Sequence, residues 1–172
     1  MAQDLIIHEP IDVPYRKPKK GSTKFITNQN VRAFWQKPEA AAMAAKQGCY
    51  VFALRASKGF TPWYAGMATK SFRQETLHST KLAHYNEVLF DGRKGKPVIV
   101  FIAPSDKRNK VPAKICDVIE TFLIQSAYKQ NPKIKNRQKT KMPNWTIAGV
   151  VRPNRGPVSK TANDFKKMMG LT

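Results

Sequence analysis

Short apolar runs along the chain predict a small β-sheet. CYVFALR (residues 49–55) and TPWYAGMA (61–68) are rich in aromatic and β-branched residues, and a turn-forming stretch separates them. We therefore expect these two segments to be antiparallel neighbours. KPVIVFIAP (96–104) is a continuous apolar run bounded by prolines, which is typical of a buried strand. The sheet is thus predicted to have about three core strands.

Helical patterns occupy the segments around these strands. Good helix formers, a serine suited to N-capping and a proline suited to a first turn mark where helices begin. The predicted helices span residues 28–47, 72–90 with a break near 78–80, 113–130 and 159–170. Together these elements predict an α+β fold, in which helices flank a small antiparallel sheet.

Both ends of the chain are expected to be basic extensions. Three prolines and the run RKPKKG indicate an extended arm over residues 1–28, which is either a solvated tail or a phosphate-contacting segment. A core domain is predicted over 29–151, with TIAGVV (146–151) as an edge strand. Residues 152–172 form the predicted C-terminal extension.

The charge balance predicts a phosphate-bearing partner. The chain of 172 residues has 31 Lys and Arg against 11 Asp and Glu, which gives a formal net charge of +20. A protein this basic gains affinity for polyanions through counterion release. Nucleic acid is therefore the expected partner. The sequence has neither a long apolar span nor a signal peptide. We therefore expect a cytoplasmic protein with no membrane partner.

The two cysteines, Cys49 and Cys116, lie in apolar segments. An intracellular protein favours two buried reduced thiols here, with a disulfide as the alternative. No Cys/His spacing indicates zinc.

Glu120 stands out in the helix predicted at 113–130. Its neighbours on the same helical face are all apolar, namely Cys116, Leu123, Ile124 and Ala127. A carboxylate on such a stripe is costly to bury unless a cation satisfies it. Two interpretations follow. Glu120 is either the partner of an internal arginine or the ligand of a divalent cation, which prefers oxygen ligands.

Other polar residues form weaker patterns. His78, Lys81 and Tyr85 have i, i+3, i+7 spacing and share one helical face if the helix is continuous. Such a face either donates protons and contacts phosphate or is simply solvated, and His84 is a further candidate. Trp145 either stacks on a base or anchors a strand.

The segment KIKNRQKTK alternates cations with other residues. If it is extended, its cations point the same way at spacings of about 6.6 Å and form a strip that follows a nucleic-acid backbone. The alternative is a basic loop. The strip residues are Lys133, Lys135, Arg137, Lys139 and Lys141.

The order of these residues resembles the GIY-YIG nuclease superfamily. The matching pieces, over about residues 48 to 136, are Gly48-Cys49-Tyr50, Tyr64-Ala65-Gly66, Arg73, Glu120 and a following asparagine. In that family two adjacent strands carry paired tyrosines, the next helix an arginine and a later helix a glutamate. The resemblance implies a metal-dependent phosphodiester hydrolase.

Each matching residue then has an implied role. Tyr50 is the expected general base, with a pKa lowered by nearby positive charge, and Tyr64 assists it or contacts the scissile phosphate. Arg73 stabilises negative charge on the phosphate. Glu120 is the implied sole protein ligand of Mg²⁺ or Mn²⁺.

The sequence departs from the family pattern in three places. Cysteine and alanine replace isoleucine in the two triplets, which changes packing. Many members have a histidine one helical turn after the arginine, where this chain has Leu77. The assisting role then falls to His78, Lys81 or Tyr85. The asparagine is either Asn131 or Asn136, and we favour Asn136 as a residue that orders the loop.

The sequence therefore predicts a metal-dependent endonuclease that acts on nucleic acid, with DNA as the favoured substrate. Basic segments at residues 16–20 and 133–141 are expected to bind the substrate backbone. Cleavage of both strands by a one-site enzyme favours a homodimer. The alternatives are a non-catalytic nucleic-acid-binding protein that retains the fold and a structural RNA-binding or ribosome-associated protein.

Overall fold

Two compact units make up the protein, residues 1–140 and residues 141–172. The computed structural model describes residues 5–18, 23–57, 59–105, 109–140 and 157–170. The strands of the first unit are β1 (Leu5–Ile7), β2 (Ile11–Asp12), β3 (Gly48–Ala56), β4 (Gly59–Ala68) and β5 (Lys96–Pro104). Its helices are α1 (Asn28–Gln36), α2 (Pro38–Met43), α3 (Phe72–Glu75), α4 (Ser79–Phe90) and α5 (Ala113–Gln130). In the second unit, α6 spans Lys160–Met168.

All five strands belong to one antiparallel sheet in the order β1-β5-β3-β4, and β2 pairs with β5 as well. The three strands expected from the sequence are confirmed as β3, β4 and β5. The α+β class is likewise confirmed, with helices flanking the sheet. Among the described strands, β4 pairs with β3 alone, so it forms an edge of the described sheet.

The segment predicted as a separate arm, residues 1–28, contributes two strands to this sheet. Residues 5–7 and 11–12 pair with β5, and the side chains of Ile11 and Val13 are buried. Burial of these apolar side chains stabilises the pairing with β5, although the three prolines had indicated a separate extended arm. Of the predicted basic segment at 16–20, Arg16 pairs its backbone with Phe25, and residues 19 and 20 lie outside the described part of the chain.

Alternate side chains of β3 point to opposite faces of the sheet, as strand geometry requires. Tyr50 and Phe52 belong to the larger core, which lies on the side of α1, α2 and α4. Cys49 and Val51 face α5 on the other side. The two cysteines are free and buried, as the preferred interpretation expected, and the Cys49 thiol donates a hydrogen bond to the Cys116 carbonyl oxygen at 3.4 Å.

Helix boundaries follow local sequence signals. Pro38 occupies the first turn of α2, and the Ser71 hydroxyl accepts a hydrogen bond from the Gln74 N–H at the start of α3. The predicted break falls between α3 and α4, and the helix predicted at 113–130 is α5. None of the described helices is long and apolar enough to cross a membrane. The edge strand predicted at 146–151 lies outside the described residues.

Candidate active site

A cleft of about 610 Å³ opens along the free edge of β4. Helix α4 lies against one face of the sheet here and α5 against the other, while the loop after α5 closes the far side. The lining side chains share a polar or amphipathic character and include both signs of charge. They are Tyr64, Met67, Glu75, Lys81, His84, Glu120, Lys135, Asn136, Arg137 and Gln138.

The two tyrosines of the sequence motif stack side by side on adjacent strands. Tyr50 of β3 pairs with Gly66 of β4, and the Tyr50 and Tyr64 rings lie 6.3 Å apart with 10° between their planes. A Cβ atom at Gly66 would lie 2.7 Å from the Tyr50 hydroxyl and 3.0 Å from Cε1 of Tyr64. Glycine is therefore required where both phenol rings pack over the backbone.

Gly48 has an equally physical reason to be glycine. Its φ is +150°, and a Cβ there would lie 2.1 Å from the carbonyl oxygen of Ile102 on β5. No side chain can be placed that close to backbone. Gly48 thus lets β3 start in close contact with its neighbour, which sets the position of Tyr50 two residues later.

Tyr50 does not have the environment expected of a general base. Its side chain is fully buried, and its hydroxyl has no hydrogen-bonding partner among the described residues. The nearby Tyr85 hydroxyl donates to the Thr76 carbonyl oxygen instead, at 2.9 Å. Burial raises the pKa of the Tyr50 phenol well above its usual value, and Tyr85 and Tyr64 add to this effect. The predicted lowering of this pKa is therefore wrong for the structure.

Tyr64 is the motif tyrosine that reaches the cleft. Its ring is partly buried and stacks on the imidazole of His84, with centroids 6.0 Å apart. Burial, followed by the charge of Glu120, raises the pKa of its phenol. Tyr64 therefore presents a protonated hydroxyl, which can donate a hydrogen bond to an anionic ligand.

Glu120 reaches from α5 to the edge of β4. Its side chain is only 12% exposed, Oε1 accepts the Met67 N–H at 3.0 Å, and Oε2 lies 2.7 Å from Nζ of Lys139. The edge position of β4 explains the first contact, because no described strand pairs with the Met67 N–H on that side. The expected cationic partner exists, but it is Lys139 and not an arginine.

Lys81 brings positive charge to the tyrosine pair. Its ammonium lies 5.4 Å from the centroid of the Tyr50 ring, within cation–π range, and it also lines the cleft. Burial lowers the pKa of Lys81, while Glu75 and Glu120 act in the opposite direction. The predicted role of Lys81 as a phosphate contact is compatible with this position.

Arg73 does not line the Glu120 cleft. It is exposed on α3 and lines a second cleft of about 460 Å³, together with Val31, Arg32, Trp35 and Gln36. A two-residue step along a helix turns a side chain by about 200°, so Arg73 and Glu75 point to different sides of α3. The structure therefore separates Arg73 from Tyr64 and Glu120, which line one cleft together.

The predicted helical face of His78, Lys81 and Tyr85 does not form. His78 precedes the first turn of α4, is exposed and lines a third cleft, of about 470 Å³, beside Lys81. Tyr85 is fully buried, and its ring stacks on Phe52 at 4.1 Å. Tyr85 is thus a core residue with no surface left for nucleic acid, and its predicted role in binding is wrong.

The basic segment after α5 is a turn-rich loop rather than an extended strip. Its described part, residues 131–140, is tied to β4, because the Lys135 N–H donates to the Trp63 carbonyl oxygen at 2.8 Å. Lys135 also pairs with Glu87 at 2.9 Å, and Lys139 turns back to Glu120. The period-two strip prediction is therefore wrong over 133–140, while Lys133 and Arg137 are exposed. Lys141 and Trp145 lie outside the described residues.

Both candidate asparagines anchor this loop. The Asn136 amide donates to the Ala65 carbonyl oxygen at 2.9 Å and its Oδ1 accepts the Gln138 N–H at 3.2 Å. Asn131 makes the equivalent contact with the Pro62 carbonyl oxygen at 2.8 Å. Asn136 alone lines the cleft, which agrees with the preferred assignment of a loop-ordering residue.

Sequence reasoning missed two carboxylates of this region. Glu75 lines the cleft and accepts the Lys70 N–H at 2.5 Å, and Asp117 lies 2.5 Å from Nζ of Lys139. Asp117 is three residues before Glu120, so helical spacing could have indicated it. Glu75 had no comparable signal, because its position depends on the turn after β4.

A magnesium-like ion fits the donor chemistry of Glu120. Such ions are held by one or two carboxylates together with water and substrate phosphates, and here a nearly buried carboxylate already has a cation, Nζ of Lys139, on one oxygen. Within the described ranges, no group of three His, Cys, Asp or Glu residues could hold a metal by itself. Binding at Glu120 would therefore rely on ligands from solvent and substrate.

Comparisons with known proteins identify no relative. No family model matches the sequence, and neither a curated protein nor a solved structure matches it.

Proposed function

We propose that this protein is a metal-dependent endonuclease, and that the Glu120 cleft is its active site. The observation that carries the proposal is one nearly buried carboxylate facing phenol, imidazole and ammonium groups in a cleft of a very basic chain. Phosphodiester hydrolysis requires a cation ligand and donors to the phosphate in one place. DNA is the substrate we propose first.

The side chains divide the work by their chemistry. Lys135 and Arg137 at the mouth of the cleft bind the phosphate backbone as cations. Lys81 and His84, which α4 contributes to the same cleft, donate hydrogen bonds to the phosphate that is cut. Asn136 holds the loop that carries Lys135 and Arg137 against β4.

Tyr64 has the second of the two roles that the resemblance implied for it, which is contact with the scissile phosphate. Its protonated phenol faces the cleft beside His84, so it donates a hydrogen bond to a phosphate oxygen or to the leaving group. Tyr50 stacks on the Tyr64 ring and is fully buried, so it does not touch the substrate.

Glu120 would hold the metal ion. When bound, the ion polarises a phosphate oxygen and neutralises charge that develops during hydrolysis. The hydrogen bond from the Met67 N–H keeps the carboxylate fixed at the edge of β4. This fixed position is the contribution of the chain to the metal site.

The test is a cleavage assay with plasmid DNA, single-stranded DNA and RNA, in Mg²⁺, Mn²⁺ or EDTA. Wild type is compared with Glu120→Gln and with Glu87→Gln, a matched carboxylate that pairs with Lys135 on the exposed side of α4. We expect wild type and Glu87→Gln to cut only with metal, and Glu120→Gln to be slower by about 10³-fold. Folding of each variant is checked by circular dichroism. Equal cutting by Glu120→Gln, or none by any folded protein on these substrates, would contradict the proposal.

A non-catalytic nucleic-acid-binding protein is the second candidate. Three observations favour it: Tyr50 is buried, Arg73 lies outside the cleft, and both oxygens of Glu120 already have protein partners. Under this function, Glu120 and Lys139 form a structural pair. Salt-sensitive binding without cutting by wild type, together with reduced stability of Glu120→Gln, would support it.

A further inference from the structure

We propose that Lys139 is a built-in competitor for the metal ion of the Glu120 cleft. Its ammonium occupies the place of a cation on the carboxylates in the free protein and must leave when a divalent ion binds. The inference rests on the proposed function and adds a form of regulation to the same site.

The contacts of Lys139 carry this inference. Its Nζ lies 2.7 Å from Oε2 of Glu120 and 2.5 Å from Oδ1 of Asp117, and so bridges the two carboxylates of α5. The other Glu120 oxygen is held by the Met67 N–H. Oε2 is therefore the oxygen through which Glu120 would take a metal ion, and Lys139 covers it.

The loop backbone is shaped to deliver this side chain. Lys139 has a φ of +60° and is the one described residue other than glycine with a positive φ. The chain turns back at this residue, and its carbonyl oxygen accepts a hydrogen bond from the Gln125 amide on α5 at 3.4 Å. The positive φ of Lys139 and the hydrogen bond from Gln125 together bring the last described turn of the loop back towards α5.

The Lys139 ammonium can take the place of a metal ion beside Glu120, but it can also move away from the carboxylate. It satisfies a carboxylate that is only 12% exposed, which removes the cost of an unpaired buried charge. The Lys139 side chain is 30% exposed, so it can swing into solvent or onto a substrate phosphate without breaking the core. Metal binding would thus free a cation at the position where the substrate backbone enters.

Two consequences distinguish this arrangement from a purely structural ion pair. Removing the ammonium should strengthen metal binding, because the ion no longer displaces a charged partner. A structural pair predicts the opposite, since loss of Lys139 would only loosen α5 and its carboxylates. Both consequences concern metal affinity and do not require catalysis.

The experiment is a Mn²⁺ titration followed by electron paramagnetic resonance and by calorimetry, without nucleic acid. Wild type is compared with Lys139→Met, which keeps the length of the side chain, and with Lys135→Met. Lys135 is a matched control, because it lies in the same loop but pairs with Glu87. We expect Lys139→Met to bind Mn²⁺ about tenfold or more tightly, and Lys135→Met to change affinity by about twofold through net charge alone.

Each outcome decides the inference. Equal or weaker Mn²⁺ binding by a folded Lys139→Met would overturn it, and so would a gain that Lys135→Met shares in full. Absence of Mn²⁺ binding in all three proteins would overturn both this inference and the metal-dependent function. Mn²⁺ binding of equal strength in all three would reject the competitor alone and leave the proposed function standing.

Discussion

Two clefts lie on the two sides of the short helix α3, and they differ in the charges that they hold. The Glu120 cleft contains carboxylates, cations and a phenol, so it can take both a metal ion and a phosphate. The Arg73 cleft has Arg32 and Arg73 as its charged groups, beside an amide and apolar side chains. By its described lining, it can bind anions but has no carboxylate to hold a metal.

Under the proposed function, this difference assigns catalysis to one cleft and additional substrate binding to the other. The motif order along the sequence places Arg73 between the tyrosines and Glu120, which implied one site for all of them. A helix of four residues is enough to divide the set, because Glu75 points into one cleft and Arg73 into the other. Under the proposed function, the Glu120 cleft is where hydrolysis occurs, and the Arg73 cleft is a second contact for the substrate backbone.

The largest effect after loss of Glu120 should come from Tyr64→Phe. Tyr64 lines the cleft, and under the proposed function its hydroxyl acts on the substrate, so we expect kcat/KM for cleavage to fall by about 10²-fold. Single-turnover cleavage in Mg²⁺ measures it.

Tyr50→Phe is the matched control for Tyr64→Phe. Its hydroxyl is buried without a partner among the described residues, so cleavage should stay within about threefold and the free energy of unfolding within about 1 kcal/mol. A large loss of activity in Tyr50→Phe, with little loss in Tyr64→Phe, would restore the role that the resemblance implied.

A smaller effect, on stability, is expected for Gly66→Ala. The new Cβ would lie 2.7 Å from the Tyr50 hydroxyl, and the buried ring cannot move away freely. We expect the free energy of unfolding to fall by about 2 kcal/mol, measured by urea denaturation. The Arg73 cleft should be unaffected, because the clash lies within the tyrosine pair.

Coupling between Tyr50→Phe and Gly66→Ala tests whether the clash with the Tyr50 hydroxyl causes the loss of stability. In the double variant Tyr50→Phe/Gly66→Ala the hydroxyl is gone, so part of the stability should return. Strictly additive losses would mean that the alanine acts through the ring carbons or the strand backbone and not through the Tyr50 hydroxyl.

Much of the fold was predictable because its signals are local. The apolar runs of β3, β4 and β5 and the helical period of α5 identified these elements within a few residues. The anomalous position of Glu120 on an apolar stripe also identified the main carboxylate of the cleft. Each of these signals depends on neighbours in the sequence, which the chain itself displays.

The remaining features depend on contacts between distant segments. The buried state of Tyr50 results from Phe72 and Tyr85 packing against it, and neither is near in sequence. The loop cations alternated as in a strand, yet hydrogen bonds to β4 and the pairs with Glu87 and Glu120 hold them in turns. In both cases, contacts with residues on other elements determine the structure, and the local sequence pattern does not show those contacts.

The smallest predicted effect concerns Arg73→Gln, and it tests the comparison most directly. If the Arg73 cleft only binds the backbone, kcat should stay within about twofold, and affinity for duplex DNA should fall a few-fold. The slope of log K against log salt concentration should become shallower by about 0.9, which corresponds to one phosphate contact. Arg32→Gln is the matched control, because it removes the same group from the same cleft and should give the same result. A collapse of kcat in Arg73→Gln, with Arg32→Gln unchanged, would place Arg73 at the reacting phosphate. Then α3 would have to turn in the complex, and the separation of the two clefts would hold for the free protein alone.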